Sequence, residues 1–277
     1  MRSRRLAATL VLAGVAACGG DAGSSGCVTA PCTTGGGDGG GTVTTGFVVK
    51  SLSDNGTTYG YQVFIPANYN SASSAIPVIV FMHGSVEKGS DNQAQTNVGL
   101  GPVVKANLST FPAIVVFPQG PQIEGTVGNE IFDRITVTAL QKTLVEYKKA
   151  DPKRVYLTGL SYGGIRGYEV AYRNSTTFAA WVPISASICA ACISGSTTTT
   201  QTQGFQLAAQ GLKTVPIWEF HGDSDSQISV NDSYGIKSAF TAIGDPYKLT
   251  VISGGHTIWD TVYARADLWT WVYQQSR

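Results

Sequence analysis

Charge is scarce in this sequence. Its 277 residues carry 19 lysines and arginines against 18 aspartates and glutamates, 13 % of the chain, for a formal net charge of +1. So even a balance gives no footprint for nucleic acid or an acidic partner, and no basic run interrupts the body of the chain. Histidine is scarcer still, with only His83, His221 and His256. Any metal centre or imidazole-dependent chemistry must draw on these three. Long apolar runs are missing too: residues 6–17 stay apolar for about a dozen positions, where a helix spanning a bilayer needs about 20. No internal repeat and no second domain are visible, and the length suits one large α/β domain with a full core.

What is present begins at the N-terminus. Arg2, Arg4 and Arg5 precede the short apolar stretch, the pattern of a signal peptide over residues 1–17. The stretch ends Val15-Ala16-Ala17-Cys18, which resembles the bacterial lipobox, and that resemblance implies lipidation at Cys18 and a membrane partner through the anchor. The Arg4-Arg5 pair fits a twin-arginine signal poorly. Residues 18–44 are mostly Gly, Ser, Thr and Ala, a flexible linker able to hold a domain off a membrane surface. The expected product is exported: an envelope lipoprotein, in the outer membrane of a Gram-negative host since Gly19 and not Asp follows Cys18, or a secreted protein. With Cys18 lipidated, four cysteines remain. An even count in an oxidising compartment predicts disulfides, most simply Cys27–Cys32 and Cys189–Cys192. For Cys189-Ala190-Ala191-Cys192 the alternatives are a redox pair or half of a zinc site, but zinc needs further ligands and the histidines have other uses. No metal and no cofactor are expected.

From residue 45 to 277 the pattern is that of a folded domain. Residues 47–49 and 61–65 are strand-like around an Asp54-Asn55-Gly56 turn, which predicts a hairpin. Short continuous apolar runs follow at 78–82, 113–117, 155–158, 179–184, 217–220 and 249–252, as suits strands buried on both faces of a parallel sheet. Helical patterns lie at 138–149, 236–242 and 264–273. The expectation is a mostly parallel eight-stranded sheet with helices on both faces. The Thr- and Gln-rich segment 193–211 leaves room for a modest rim and no large lid.

Gly159-Leu160-Ser161-Tyr162-Gly163 follows one of these runs and precedes a possible helix. This is G-x-S-x-G in the strand–turn–helix setting of a nucleophile elbow. Gly159 and Gly163 permit a turn so sharp that the Ser161 hydroxyl stands clear of the sheet. The pentapeptide also arises by chance, so its partners decide. A serine hydroxyl needs a base, usually histidine, and in this arrangement the chain order is Ser, acid, His. His83 precedes Ser161. His221 directly follows a strand. His256, in Gly254-Gly255-His256 beyond the last strand, is therefore the candidate base. The acid belongs in the loop after residues 217–220, where Asp223 and Asp225 both lie, and spacing does not separate them. His83-Gly84-Ser85 ends another apolar run. Gly84 lets the backbone come close, Ser85 and Tyr162 are candidates to offer oxyanion amides, and His83 is expected to support that loop.

These residues resemble a known family. Asp151-Pro152-Lys153-Arg154-Val155-Tyr156-Leu157-Thr158 leading into the serine motif and Gly164 is similar to the extracellular polyhydroxybutyrate depolymerase and feruloyl esterase group of the α/β-hydrolase superfamily. It is also similar to the phospholipase/carboxylesterase-like proteins often labelled predicted peptidases. Met82 to Asn92 resembles the oxyanion loop of the latter, and Gly255-His256-Thr257-Ile258-Trp259 their terminal G-H-x-x-W. His221-Gly222-Asp223-Ser224-Asp225 resembles their H-G-x-x-D motif, whose last residue is the acid, and this favours Asp225. Val86 and Lys88 depart from the usual residues, so acyl-pocket details do not transfer. The likeness covers about residues 58–277. It implies an α/β-hydrolase fold and a serine carboxylesterase working through Ser161, Asp225 and His256 on ester substrates: short acyl esters, feruloyl or acetyl groups on polysaccharide, or polyesters. A serine peptidase of the prolyl-oligopeptidase-like type and a non-catalytic binding lipoprotein are the alternatives.

Overall fold

The computed structural model describes residues 41–195 and 199–277. The signal segment, Cys18, Cys27 and Cys32 lie outside them, as does most of the linker. Strand β1 (Gly46–Asp54) and strand β2 (Thr57–Ile65) form the expected hairpin, with Asn55 and Gly56 at φ of 48° and 83° in the turn. β2 pairs antiparallel with β4 (Ile114–Pro118). The remaining strands run parallel: β3 (Ile76–Met82), β5 (Ala150–Leu160), β6 (Ala180–Ile184), β7 (Trp218–Gly222) and β8 (Lys248–Ile252). The result is one open eight-stranded sheet in the order β1-β2-β4-β3-β5-β6-β7-β8.

Side-chain alternation explains why the central strands read as unbroken apolar runs. In β3, Val78, Val80 and Met82 enter one buried cluster, while Ile79 and Phe81 enter another on the opposite face. In β4, Ile114 and Val116 point to the first, and Val115 and Phe117 to the second. Both faces are dry, so no position along these strands is left for a polar residue. The first face is covered by α2 (Gly125–Glu146), α3 (Tyr162–Arg173), α5 (Gln201–Leu212) and α6 (Val230–Ala242). The second is covered by α1 (Leu100–Ala106), α7 (Trp259–Tyr263) and α8 (Ala266–Gln274). A short helix, α4 (Ala190–Ser194), precedes α5.

Several helices differ from the sequence expectation. α2 begins at Gly125, well before residue 138, because Ile131, Phe132 and Ile135 continue its buried stripe through a segment diluted by Gly, Thr and Val. It stops at Glu146, and the Lys149 ammonium then takes the carbonyls of Tyr69, Asn70 and Ala72, each at 2.9 Å. The segment expected as a polar rim after residue 193 contains α5, opened by a Thr200–Gln203 capping box and seated on Phe205, Ala208, Ala209 and Leu212. The C-terminal pattern at 264–273 corresponds to α8, and the short α7 just before it was not expected from the sequence. Packing also reaches back into the last residues assigned to the linker: Val43 is buried, and its N–H and C=O both bond the Asn70 side chain, at 2.9 and 2.8 Å.

Candidate active site

The site is built where five parallel strands end. Ser161 lies between β5 and α3 with φ 51° and ψ −122°, a backbone that L-residues rarely adopt. Its N–H donates to the Ile184 carbonyl at the end of β6 at 2.9 Å, which fixes the turn to the sheet. Both glycines of the motif are sterically required. A Cβ on Gly159 would come within 2.6 Å of the Gly163 carbonyl oxygen, and a Cβ on Gly163 would strike the Met82 and His83 carbonyls of the neighbouring β3 end. The close approach that forbids side chains at 163 is thus to the end of β3 as well as across the turn.

His256 follows β8 and is buried. Its Nε2 is 2.8 Å from Ser161 Oγ and its Nδ1 is 2.7 Å from Asp225 Oδ2. Ser185 Oγ donates to the His256 carbonyl at 2.7 Å, pinning this loop to the end of β6, and the Trp259 ring meets the imidazole edge-on at 5.7 Å. Ser161, Asp225 and His256 are therefore brought into one hydrogen-bonded line. Burial would raise the Asp225 carboxyl, but the N–H groups of Ile228 and Gln227 and the His256 ring outweigh it and hold it below the usual carboxylate value. The backbone bonds land on Oδ1 at 2.8 Å from Gln227 and 2.9 Å from Ile228, which leaves Oδ2 for the imidazole. Asp223 points elsewhere. It is exposed, and its Oδ1 accepts from Gly254 N–H at 3.1 Å and Ser224 Oγ at 2.9 Å, tying two loops together.

The loop after β3 closes the other side. Gly84 lies against the elbow: a Cβ there would be 3.0 Å from Leu160 Cδ1 and 3.9 Å from Ser161 Cβ. Ser85 opens a short 3-10 turn, Ser85–Glu87, and Tyr162 is the first residue of α3, where an amide has no carbonyl within its own helix to bond. His83 is fully buried. Its Nδ1 faces the Gly84 carbonyl at 2.6 Å, and its Nε2 accepts Gly120 N–H at 2.8 Å. The ring also lies 4.7 Å from Phe132, which stacks on Tyr162 at 5.7 Å. Lys88 covers the outer face of Tyr162 at 4.3 Å and reaches Glu124 at 3.2 Å.

Gln119, which the sequence did not single out, holds this loop in place. Its amide nitrogen donates to the Glu87 carbonyl at 3.0 Å and Asp91 Oδ1 at 2.8 Å, while its oxygen accepts Asn92 N–H at 2.7 Å. The available signal was one polar residue directly after a buried strand. Cys189 and Cys192 form the expected disulfide, with Cα atoms 5.2 Å apart, and Arg166 of α3 donates to Cys192 Sγ at 3.2 Å while pairing with Asp133. Among the described residues no group of three or more His, Cys, Asp or Glu side chains could hold a metal ion, and no helix is long and apolar enough to cross a membrane.

The burial of His83 has a consequence for stability. Desolvation pushes its imidazole from the usual 6.5 down to about 4, so the folded chain keeps it neutral. Between those pH values the unfolded chain takes up a proton that the folded one refuses, and stability is expected to fall by about 3 kcal/mol as the pH drops through the window. Urea unfolding at pH 7 and pH 4.5 checks this against His83→Gln, in which every other titrating group is retained. The variant's stability should change less between the two pH values, and equal losses would contradict the reading.

No protein-family model and no curated protein matches this sequence. Solved structures do match. A thermostable esterase is 25 % identical over 83 % of this chain with a TM-score of 0.65, and this chain spans 63 % of that protein's length. A ferulic acid esterase is 19 % identical, covering 82 % of this chain and 96 % of its own, with a TM-score of 0.62. An acylaminoacyl peptidase of Pyrococcus horikoshii is 14 % identical over 83 % of this chain and 42 % of its own, with a TM-score of 0.58.

Proposed function

Starting from the α/β-hydrolase fold that this chain shares with those esterases and peptidases, we propose that it is a serine carboxylesterase. One observation carries the reading: Ser161 Oγ, the two ring nitrogens of His256 and Asp225 Oδ2 stand in line at 2.8 and 2.7 Å. In the proposed reaction His256 Nε2 takes the Ser161 proton as Oγ attacks the ester carbonyl. Asp225 holds the Nδ1–H tautomer and stabilises the imidazolium. The N–H groups of Ser85 and Tyr162 stabilise the oxyanion. The imidazolium then protonates the leaving alcohol. Water, deprotonated by the same imidazole, releases the acid and restores Ser161. The chemistry needs no cofactor.

The setting of the serine supports a substrate class. Among the described residues the segment between β6 and β7 adds α4 and α5 and no large lid over the serine, which suits short acyl esters and polymer-borne feruloyl, acetyl or polyester groups better than membrane lipid. The similarity to an acylaminoacyl peptidase supports a second reading, amide cleavage by the same groups. A panel of nitrophenyl acetate, a feruloyl ester and peptide anilides separates the readings. Ester turnover with little anilide turnover is the expected result. Preferential anilide cleavage would favour the peptidase, and no turnover at all a binding protein.

A further inference from the structure

Behind Asp225 lies a second imidazole for which the proposed reaction has no use. His221, in β7, is fully buried. Its Nε2 faces the Ile228 carbonyl oxygen at 3.0 Å and Asp225 Oδ2 at 3.2 Å. Its Nδ1 lies 2.7 Å from Ser233 Oγ on α6. Ser233 donates its one hydroxyl proton to Glu219 Oε1 at 2.9 Å, so toward His221 it can only accept. Both ring nitrogens therefore meet acceptors alone, and both need a proton.

Charge balance points the same way. Glu219 is fully buried; its second oxygen takes the Tyr247 hydroxyl, which in turn lies 2.6 Å from that of Tyr168 on α3. Among the described residues no lysine or arginine lies within ion-pair distance of Glu219 or Asp225, whereas His221 lies 3.9 Å from the first and 3.2 Å from the second. Two buried carboxylates without a cation would be costly. The other ionisable groups of these elements add no positive charge: Asp232 of α6 and the exposed Asp223 are themselves acids, and His256 Nε2 faces the Ser161 hydroxyl.

We propose that His221 is held as an imidazolium and serves as a positioning residue, fixing the Asp225 oxygen that receives His256 and weakening the hold of His256 on its own acquired proton. The proposal rests on the triad reading above. His221 and His256 both touch Asp225 Oδ2, so their nearest nitrogens are within about 6 Å of each other, and in this buried setting one positive charge opposes a second. Burial alone would disfavour the charged form of His221, but its hydrogen bonds and the charges of Glu219 and Asp225 raise its affinity for the proton above the ordinary imidazole value.

Two measurements test this. In nitrogen-15 spectra of the histidine-labelled wild-type protein at pH 7, His221 should carry protons on both ring nitrogens. A neutral His221 would overturn the proposal, and this result does not depend on any substrate or on a variant folding. In His221→Gln, which keeps an N–H donor but loses the charge, the acid limb of the pH profile of kcat/KM should move up by about one pH unit. Activity below the limb should then drop about tenfold more than the plateau does. A limb that stays in place or moves to lower pH would mean a mere prop for Asp225 and would also overturn the proposal. Were the protein to hydrolyse no ester at all, the function would be misread, and the nitrogen-15 spectra would still decide the state of His221.

Discussion

Replacing Ser161 by Ala should remove nearly all ester hydrolysis, by about six orders of magnitude in kcat if the serine-protease precedent transfers. The expectation follows from the line of hydrogen bonds: without Oγ the His256 base has no proton to take, and among the described residues no other hydroxyl is bonded to its Nε2. Folding should be untouched. The backbone at 161 is held by its N–H to Ile184, which Ala retains, and the lost side-chain bond contributes about 1 kcal/mol. The melting temperature and the rate are to be measured together. A fluorophosphonate probe should label the wild type at Ser161 alone. A Ser161→Ala variant that stays active, or labelling at another residue, would end the triad assignment.

Asp225→Asn should be nearly as damaging. Its amide oxygen can still accept the Gln227 and Ile228 N–H groups, but its NH2 then faces His256 Nδ1 and favours the tautomer whose Nε2 already carries a proton. A base so disposed cannot accept from Ser161, and a fall of about four orders of magnitude in kcat is expected. Asp223→Asn should change kcat only a few-fold, because the exposed Asp223 bonds Gly254 N–H and Ser224, both contacts that an amide oxygen can keep. Stability must be compared first, since Asp225 is also bonded to buried His221. A dead Asp223 variant beside a near-normal Asp225 variant would reverse the assignment. If both are near normal, the acid lies elsewhere, and Asp232 is the next candidate.

Much of this site was legible in one dimension because its parts are local. The elbow needs glycine at 159 and 163 wherever a strand turns so sharply into a helix, and of three histidines chain order removes His83 while the position of His221 directly after a strand leaves His256 as the candidate base. The choice between Asp223 and Asp225 was different. Spacing left it open, the resemblance of His221-Gly222-Asp223-Ser224-Asp225 to a family motif favoured the latter, and the direction of each side chain separates them in space. Helix α5 was missed because its polar face is rich in Thr and Gln and its buried face rests on Phe205 and two alanines, a stripe visible only against its neighbours.

The sequence by itself determined the strands, whose two-faced burial forces unbroken apolar runs, and it singled out Ser161 and His256 as candidate nucleophile and base from the elbow motif and the scarcity of histidine. For Cys189 and Cys192 it offered a disulfide as the simplest of three readings, beside a redox pair and half of a zinc site, and the structure has that bond. Only the tertiary structure decided what surrounds Asp225. Its two oxygens are divided between backbone amides and two imidazoles that come from β7 and from the loop after β8, and Glu219 of β7, Ser233 of α6 and Tyr247 from the loop before β8 meet behind them. Hydrogen bonds among side chains so far apart in the chain leave no periodicity in the sequence, since each depends on direction and distance after packing rather than on spacing before it.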